Sequence, residues 1–368
     1  MISRKFYQLG LILTVVSVFG FSGCRPAKLE PPLNYESLRT DANQTRLEAP
    51  EGSALHQMGV SALWKKTTGK RADGERVRIA VIGTGVDYTI PDIHEALWIN
   101  VGEVGKAQRQ NNLDDDANGY ADDVIGYDFY SVDGLPYDWH GHDTYTAGII
   151  AATGRSNSAM QGVAPNAELM IIRYLGSDGK TYDATWGPVD ASDSIHYAVD
   201  NKARVIYFNW PQGGFHAEGI GYIVSAFKYA AEKNVLIVTG AGNRMNSQPC
   251  AFVKQISGLD NVLVVAGLDA NGKISAMSQS GREIATVAAP QELSNGYFMG
   301  RVETNAVQST SVAAAYVTGV AGLIATLPGM GDAKKIRAAL LKAIDQSAVE
   351  PIDVLAGAPL SVAKFSSN

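Results

Sequence analysis

From about residue 75 onward, short runs of consecutive apolar residues alternate with longer stretches whose apolar positions recur every three or four residues. The runs VRIAVIG (77–83), ELMIIRYL (168–175), ARVIYFNW (203–210), NVLIVTGAG (234–242) and NVLVVAG (261–267) are rich in Val and Ile and bounded by turn residues. They predict strands buried on both faces. The segments SDSIHYAVDNK (192–202), IVSAFKYAAEKN (223–234) and SVAAAYVTGVAGLIATL (311–327) carry helical spacing. Strands of this kind alternating with helices imply an α/β fold, a doubly wound and mostly parallel sheet with helices on both faces. In such a sheet a site forms outside the C-terminal ends of the strands. Gly83, Asn209 and the turn Gly240-Ala241-Gly242-Asn243 fall there.

The first 54 residues follow a different pattern. Arg4 and Lys5 precede the apolar run LGLILTVVSVFGF, which ends in Phe21-Ser22-Gly23-Cys24. A charged region, an apolar region and small residues before a cysteine resemble a bacterial lipoprotein signal. That resemblance implies removal of residues 1–23, lipidation of Cys24 and an extracytoplasmic protein of the cell envelope held to a membrane by acyl chains. Phe21 departs from the aliphatic residue usual there. Residues 24–54 are proline-rich and polar and read as a flexible tether, leaving 55–368 as one domain. With Cys24 lipidated, Cys250 has no disulfide partner. A formal net charge of −6 without a long basic run argues against a nucleic-acid partner.

Seven strings then fall in a recognisable order: VIGTGVDYTIPDI, GHDTYTAGIIAA, GVAPNAELMIIRYL, HYAVDNKARVIYFNW, VLIVTGAGN, DNVLVVAGLDANGKI and STSVAAAYVTGVAGL. Their order resembles that of the corresponding segments in the subtilisin-like serine peptidases (subtilases, peptidase S8), from about Leu55 to Lys364. The resemblance implies a polypeptide substrate and the roles of four positions. Ser311 is the nucleophile, at a helix N-terminus where N–H groups and the helix dipole favour negative charge. His142 is the general base, its imidazole suited to taking a hydroxyl proton and returning it to an amine. Asn243 supplies the oxyanion amide. The fourth position, an aspartate in the family's V-I-D-T-G-V-D, is Gly83.

Glycine cannot orient an imidazole or offset its charge. Loss of this aspartate from a subtilisin costs about 3 × 10⁴ in turnover, while the oxyanion hole and binding alone leave a residual of about 10³–10⁴ over water. Asp143 follows His142 directly, and because consecutive helical residues project in different directions it is expected not to reach the imidazole. Asp87 is expected to bond turn N–H groups. A water in the vacated space could hold the tautomer but not neutralise the charge. The substrate groove, assigned to Asn209, Trp210, Pro211, Gly240, Ala241 and Gly242, departs from the family too, since Pro211 cannot donate a hydrogen bond to an added strand; a register shift would place Gly213-Gly214 there instead. Tyr145 stands for the second histidine of H-G-T-H.

The string LDDDANGYADD places Asp114, Asp116 and Asn118 at alternate positions before Gly119, with Tyr120 and Asp122 beyond. This matches the opening of a calcium loop, although Ile125 stands where the bidentate glutamate belongs. A structural calcium and a solvated acidic turn are both compatible with it. Two functions stay open: a serine endopeptidase acting weakly through an acyl-serine intermediate, with better activity at alkaline pH, or a pseudopeptidase lipoprotein that binds polypeptide without cutting it. Gly83 and Pro211 favour the binder; Ser311, His142 and Asn243 favour the enzyme.

Overall fold

The computed structural model describes residues 30–363 except 36–37, 39–46, 48, 106–109, 156–159, 212–213, 244–249, 283–284, 294–295, 299–300, 304–306, 344–353 and 355–358. The signal segment and Cys24 lie outside the described residues. No helix among the described residues is long and apolar enough to cross a membrane.

Seven strands form one sheet: β1 (Arg78–Gly83), β2 (Gly126–Asp128), β3 (Glu168–Arg173), β4 (Val205–Phe208), β5 (Leu236–Gly240), β6 (Val262–Leu268) and β7 (Val287–Pro290). All pairings are parallel, in the order β2-β3-β1-β4-β5-β6-β7. Five of these strands are the apolar runs of the sequence. β2 and β7 were not foreseen: GYD is too short to show a period, and VAAP ends in a proline that demotes it to a sheet edge.

Alternate residues of each strand face opposite layers, and both layers are covered. Ile79 and Val81 of β1 join a core built with helices α1 (His142–Ala151), α4 (Thr310–Ala325) and α5 (Ala333–Lys342). Ala80 and Ile82 join the opposite core, with α2 (Gly187–Asp200), α3 (Ala217–Glu232) and the short helix Ala251–Ile256. From β1 the chain goes to β2 at the edge, returns inward to β3 beside β1 and then crosses to β4 on the other side of β1, so the direction of winding reverses there. The crevice outside the ends of β1 and β4 is where such a fold places its site.

α4 is buried nearly all round, which explains its run of small residues: they let it approach the sheet closely. A Cβ on Gly322 would lie 2.6 Å from Ile79 Cδ1, the movable end of a side chain, and one on Gly319 would run into the Cβ of Val163. The N-terminal segment corrects one expectation. Its composition predicts a tether throughout, yet Leu33 is 4% exposed within the core and Tyr88 Oη donates to the Pro31 carbonyl at 2.7 Å.

Gly319→Ala should therefore destabilise the fold by about 1–3 kcal/mol, because a β-branched neighbour cannot yield. Gly322→Ala should cost less, since Ile79 can re-aim its terminal methyl and alanine gains helix propensity. Denaturant midpoints of the two variants measure the difference.

Candidate active site

Ser311, His142, Asn243 and Asn209 line one cleft at the C-terminal ends of the strands, a cavity of about 310 Å³. α4 begins at an N-cap, Ser309, whose Oγ accepts from Val312 N at 3.2 Å. Thr310 N donates to Asn243 Oδ1 at 2.7 Å. These two bonds satisfy the N–H groups on either side of Ser311, so the Ser311 N–H is left at the positive end of the helix beside its own hydroxyl. Fixing Asn243 through its oxygen leaves its NH₂ as the free donor end of the amide.

His142 opens α1 after Gly141, whose φ of 91° reverses the chain into the helix. Asp138 holds this entry: its carboxylate accepts from His140 N (2.9 Å), Gly141 N (2.7 Å), Thr144 N (3.0 Å) and Thr144 Oγ (2.7 Å). Burial first, and the Asp143 charge second, push the Asp138 carboxyl above its usual range. Asp87 makes turn bonds, accepting from Thr89 N at 3.0 Å.

The imidazole has a carboxylate partner, and it is Asp143. His142 Nδ1 lies 2.5 Å from Asp143 Oδ1. Asp143 is fully buried, and its Oδ2 accepts from Thr84 N at 2.7 Å while its own N–H donates to Thr84 Oγ at 3.1 Å. Asn209 Nδ2 stands 3.3 Å from Asp143 Oδ1 and 3.2 Å from His142 Nδ1. With Nδ1–H directed at the carboxylate, the Asn209 amide donates to Asp143 as well. The Tyr145 ring packs beside the imidazole, centroids 5.0 Å apart.

This overturns the expectation that adjacent helical residues cannot meet. The angular offset between neighbours forbids parallel projection, not convergence, and two Cα atoms about 3.8 Å apart can aim side chains at one point when the second turns inward. Asp143 turns inward because a space awaits it. A Cβ on Gly83 would overlap Asp143 Oδ2 and lie 2.9 Å from Asn209 Cβ. The carboxylate thus fills the volume that a side chain on Gly83 would claim. The sequence signal was available: in H-D-T-Y against the family's H-G-T-H, an aspartate stands at the glycine's position.

The acidic loop is organised differently from its alternating pattern. Oxygens of Glu103, Asp116 and Asp123 lie within 4.8 Å of one another. Asn100 Nδ2 reaches Asp116 Oδ2 (2.9 Å) and Asp123 Oδ1 (2.8 Å), and Asn118 Nδ2 reaches Asp123 Oδ2 (2.9 Å). Glu103 Oε2 is buried without a hydrogen-bond partner, and burial pushes the Asp123 carboxyl up to about 7. A hard cation would relieve both features. Asp114 instead accepts from Asn118 N (3.0 Å) and Gly119 N (2.7 Å), and Asp122 from Asn111 N (3.0 Å) and Asn112 N (2.9 Å). The Tyr120 ring packs on Tyr127, Phe129 and Tyr197. Glu103 escaped the sequence reading because it lies outside the acidic string.

The family model Peptidase S8, Subtilase family, matches residues 74–358. The chain is 31% identical over 278 residues to thermitase of Thermoactinomyces vulgaris, covering 75% of this chain and 83% of that protein. It is 28% identical over 280 residues to subtilisin-like protease 1 of Plasmodium berghei (strain Anka), covering 69% of this chain and 43% of that one. The fold superposes on the crystal structure of a cold adapted subtilisin-like serine proteinase with a TM-score of 0.60 at 18% identity, over 84% of this chain and 98% of the other.

The occupied space beside Gly83 has a measurable consequence. Gly83→Asp alone should lower stability by about 1–3 kcal/mol through overpacking against Asp143, and Gly83→Asp combined with Asp143→Gly should recover most of that loss. Thermal melts of the two variants make the comparison.

Proposed function

The chain belongs to the subtilase family of serine peptidases, and from that premise we propose that it is a working serine endopeptidase whose triad carboxylate is Asp143. The single observation that carries this reading is the 2.5 Å contact between His142 Nδ1 and Asp143 Oδ1. Relative to the family strings, aspartate and glycine have changed places: D-T-G has become Gly83-Thr84-Gly85, and H-G-T-H has become His142-Asp143-Thr144-Tyr145. The carboxylate arrives at the same space from the neighbouring Cα.

In this mechanism Ser311 Oγ attacks the carbonyl carbon of a peptide bond while His142 Nε2 takes the hydroxyl proton. Asp143 Oδ1 accepts from Nδ1–H, so the tautomer with a free Nε2 is the one present, and its charge offsets the imidazolium as it forms. Thr84 N–H and the Asn209 amide hold the carboxylate in place. The Asn243 NH₂ and the Ser311 N–H receive the tetrahedral oxygen. The intermediate collapses to an acyl-serine as His142 returns the proton to the leaving amine, and water then repeats the sequence to release the acid. The binding-only reading rested on Gly83 and Pro211; the Asp143 geometry answers the first and supports catalysis, while Pro211 bears on the groove and not on the chemistry.

A calcium ion among Glu103, Asp116 and Asp123 belongs to the same proposal, as a brace for the long loop rather than a participant in chemistry. So does tethering to the cell envelope through a lipidated Cys24, which rests on the signal-like N-terminus.

Asp143→Asn should reduce turnover by about 10⁴-fold while the protein still folds, measured by peptide hydrolysis with fluorophosphonate labelling of Ser311. Turnover within a few fold of the unaltered protein would sink the assignment. Gly83→Asp with Asp143→Gly should regain activity that Gly83→Asp alone lacks. Removal of calcium by a chelator should lower the melting temperature, the loss amounting to about 2.7 kcal/mol where the ion had been held at a hundred times its Kd, and Glu103→Gln should abolish that dependence.

A further inference from the structure

One side chain crosses the cleft between the ends of β4 and β5. Trp210 stands two residues past β4, and its indole reaches the opposite wall. Nε1–H donates to the Gly240 carbonyl at 3.2 Å, and Cη2 lies 3.5 Å from where a Cβ on Gly242 would sit. Phe252 packs against the ring edge-on, centroids 6.1 Å apart. The ring is therefore fixed at two points, the Gly240 carbonyl and Phe252, across the gap assigned to substrate.

That gap adjoins the reacting atoms. Gly240 and Gly242 lead directly into Asn243, and Gly242 N donates to Thr310 Oγ1 at 3.1 Å, one residue before Ser311. A carbonyl carbon in reach of Ser311 Oγ, its oxygen toward Asn243, has its own Cα one bond away. The side chain on that Cα must enter the space bounded by Asn209-Trp210 on one wall and Gly240-Gly242 on the other. The indole already stands in it.

We propose that Trp210 sets an upper size limit on the residue that precedes the cleaved bond, so that glycine, alanine and serine are accepted and large aromatic or aliphatic side chains are refused. The inference rests on the peptidase reading and names its substrate class: polypeptide with small residues at the cleavage site. Two features of the walls agree with it. Gly242 has a φ of 114°, its carbonyl accepts from Gln279 N at 2.8 Å and Ala241 N donates to the Val265 carbonyl at 2.9 Å, so the backbone of that wall is held in place. Swinging the indole out would break its bond to Gly240 and its packing on Phe252.

The test uses the full-length protein in detergent and two peptide p-nitroanilides that differ only in alanine or phenylalanine before the scissile bond. Rates are normalised to Ser311 labelled by fluorophosphonate. The unaltered protein should prefer alanine, Trp210→Ala should raise the phenylalanine-to-alanine ratio of kcat/KM by about tenfold or more, and Trp210→Phe should fall between. In parallel, the same peptides as amides are titrated into Ser311→Ala protein with and without Trp210→Ala, which reads the pocket without chemistry. A ratio that stays within twofold in both assays, or an unaltered protein that takes phenylalanine as well as alanine, overturns the proposal. No labelling and no turnover, with the size preference intact in the binding assay, would remove the peptidase reading and leave the role of Trp210 standing.

Discussion

The site depends on one buried contact, the hydrogen bond between His142 and Asp143 at the end of β1. A carboxylate in the interior is tolerated only when its lone pairs are met by donors. Here the donors come from three separate elements: the backbone of Thr84 just past β1, the imidazole at the start of α1 and the Asn209 amide just past β4. The carboxylate therefore ties strand ends to the start of α1. What the chemistry requires is a negative charge at one point beside Nδ1, and the fold is indifferent to which Cα delivers it.

That indifference has a steric limit. The volume beside Gly83 admits one side chain, and Asp143 has taken it, so the absence of a side chain at 83 and the presence of one at 143 are a single arrangement. Tyr145 and Asn209 complete the enclosure, one packed beside the imidazole and the other on the carboxylate. Pro211, which argued against a strand-adding substrate, leaves this enclosure untouched.

Much of the fold could be read from the chain because five of its strands are long, fully buried and uninterrupted by polar residues. β2 and β7 could not, being too short or too close to a proline to show a period. The positions of Ser311, His142 and Asn243 were legible as strings, since each sits at a strand end or helix start with its turn chemistry written locally. Asp143 escapes the pattern because the divergence of neighbouring side chains holds within a helix but not at its first turn, where a side chain can turn in toward the sheet. Glu103 was missed for a different reason: its proximity to Asp116 and Asp123 is made by the path of the loop, which no local spacing records. Leu33 sat in a stretch whose composition reads as linker, and a single apolar residue in such a stretch gives no periodic signal.

In the proposed peptidase, base and orienting acid are consecutive residues, His142 and Asp143, whereas in the D-T-G arrangement they come from segments far apart in sequence. The separation between the imidazole and its carboxylate is thus governed by two sets of side-chain torsions on one turn of backbone. Movement of α1 against β1 would carry both groups together, at the cost of the carboxylate's bonds to Thr84 and Asn209, while altering their approach to Ser311. The pair behaves as a cartridge: it has one tolerance to meet, the distance to the nucleophile, where a dispersed triad has two.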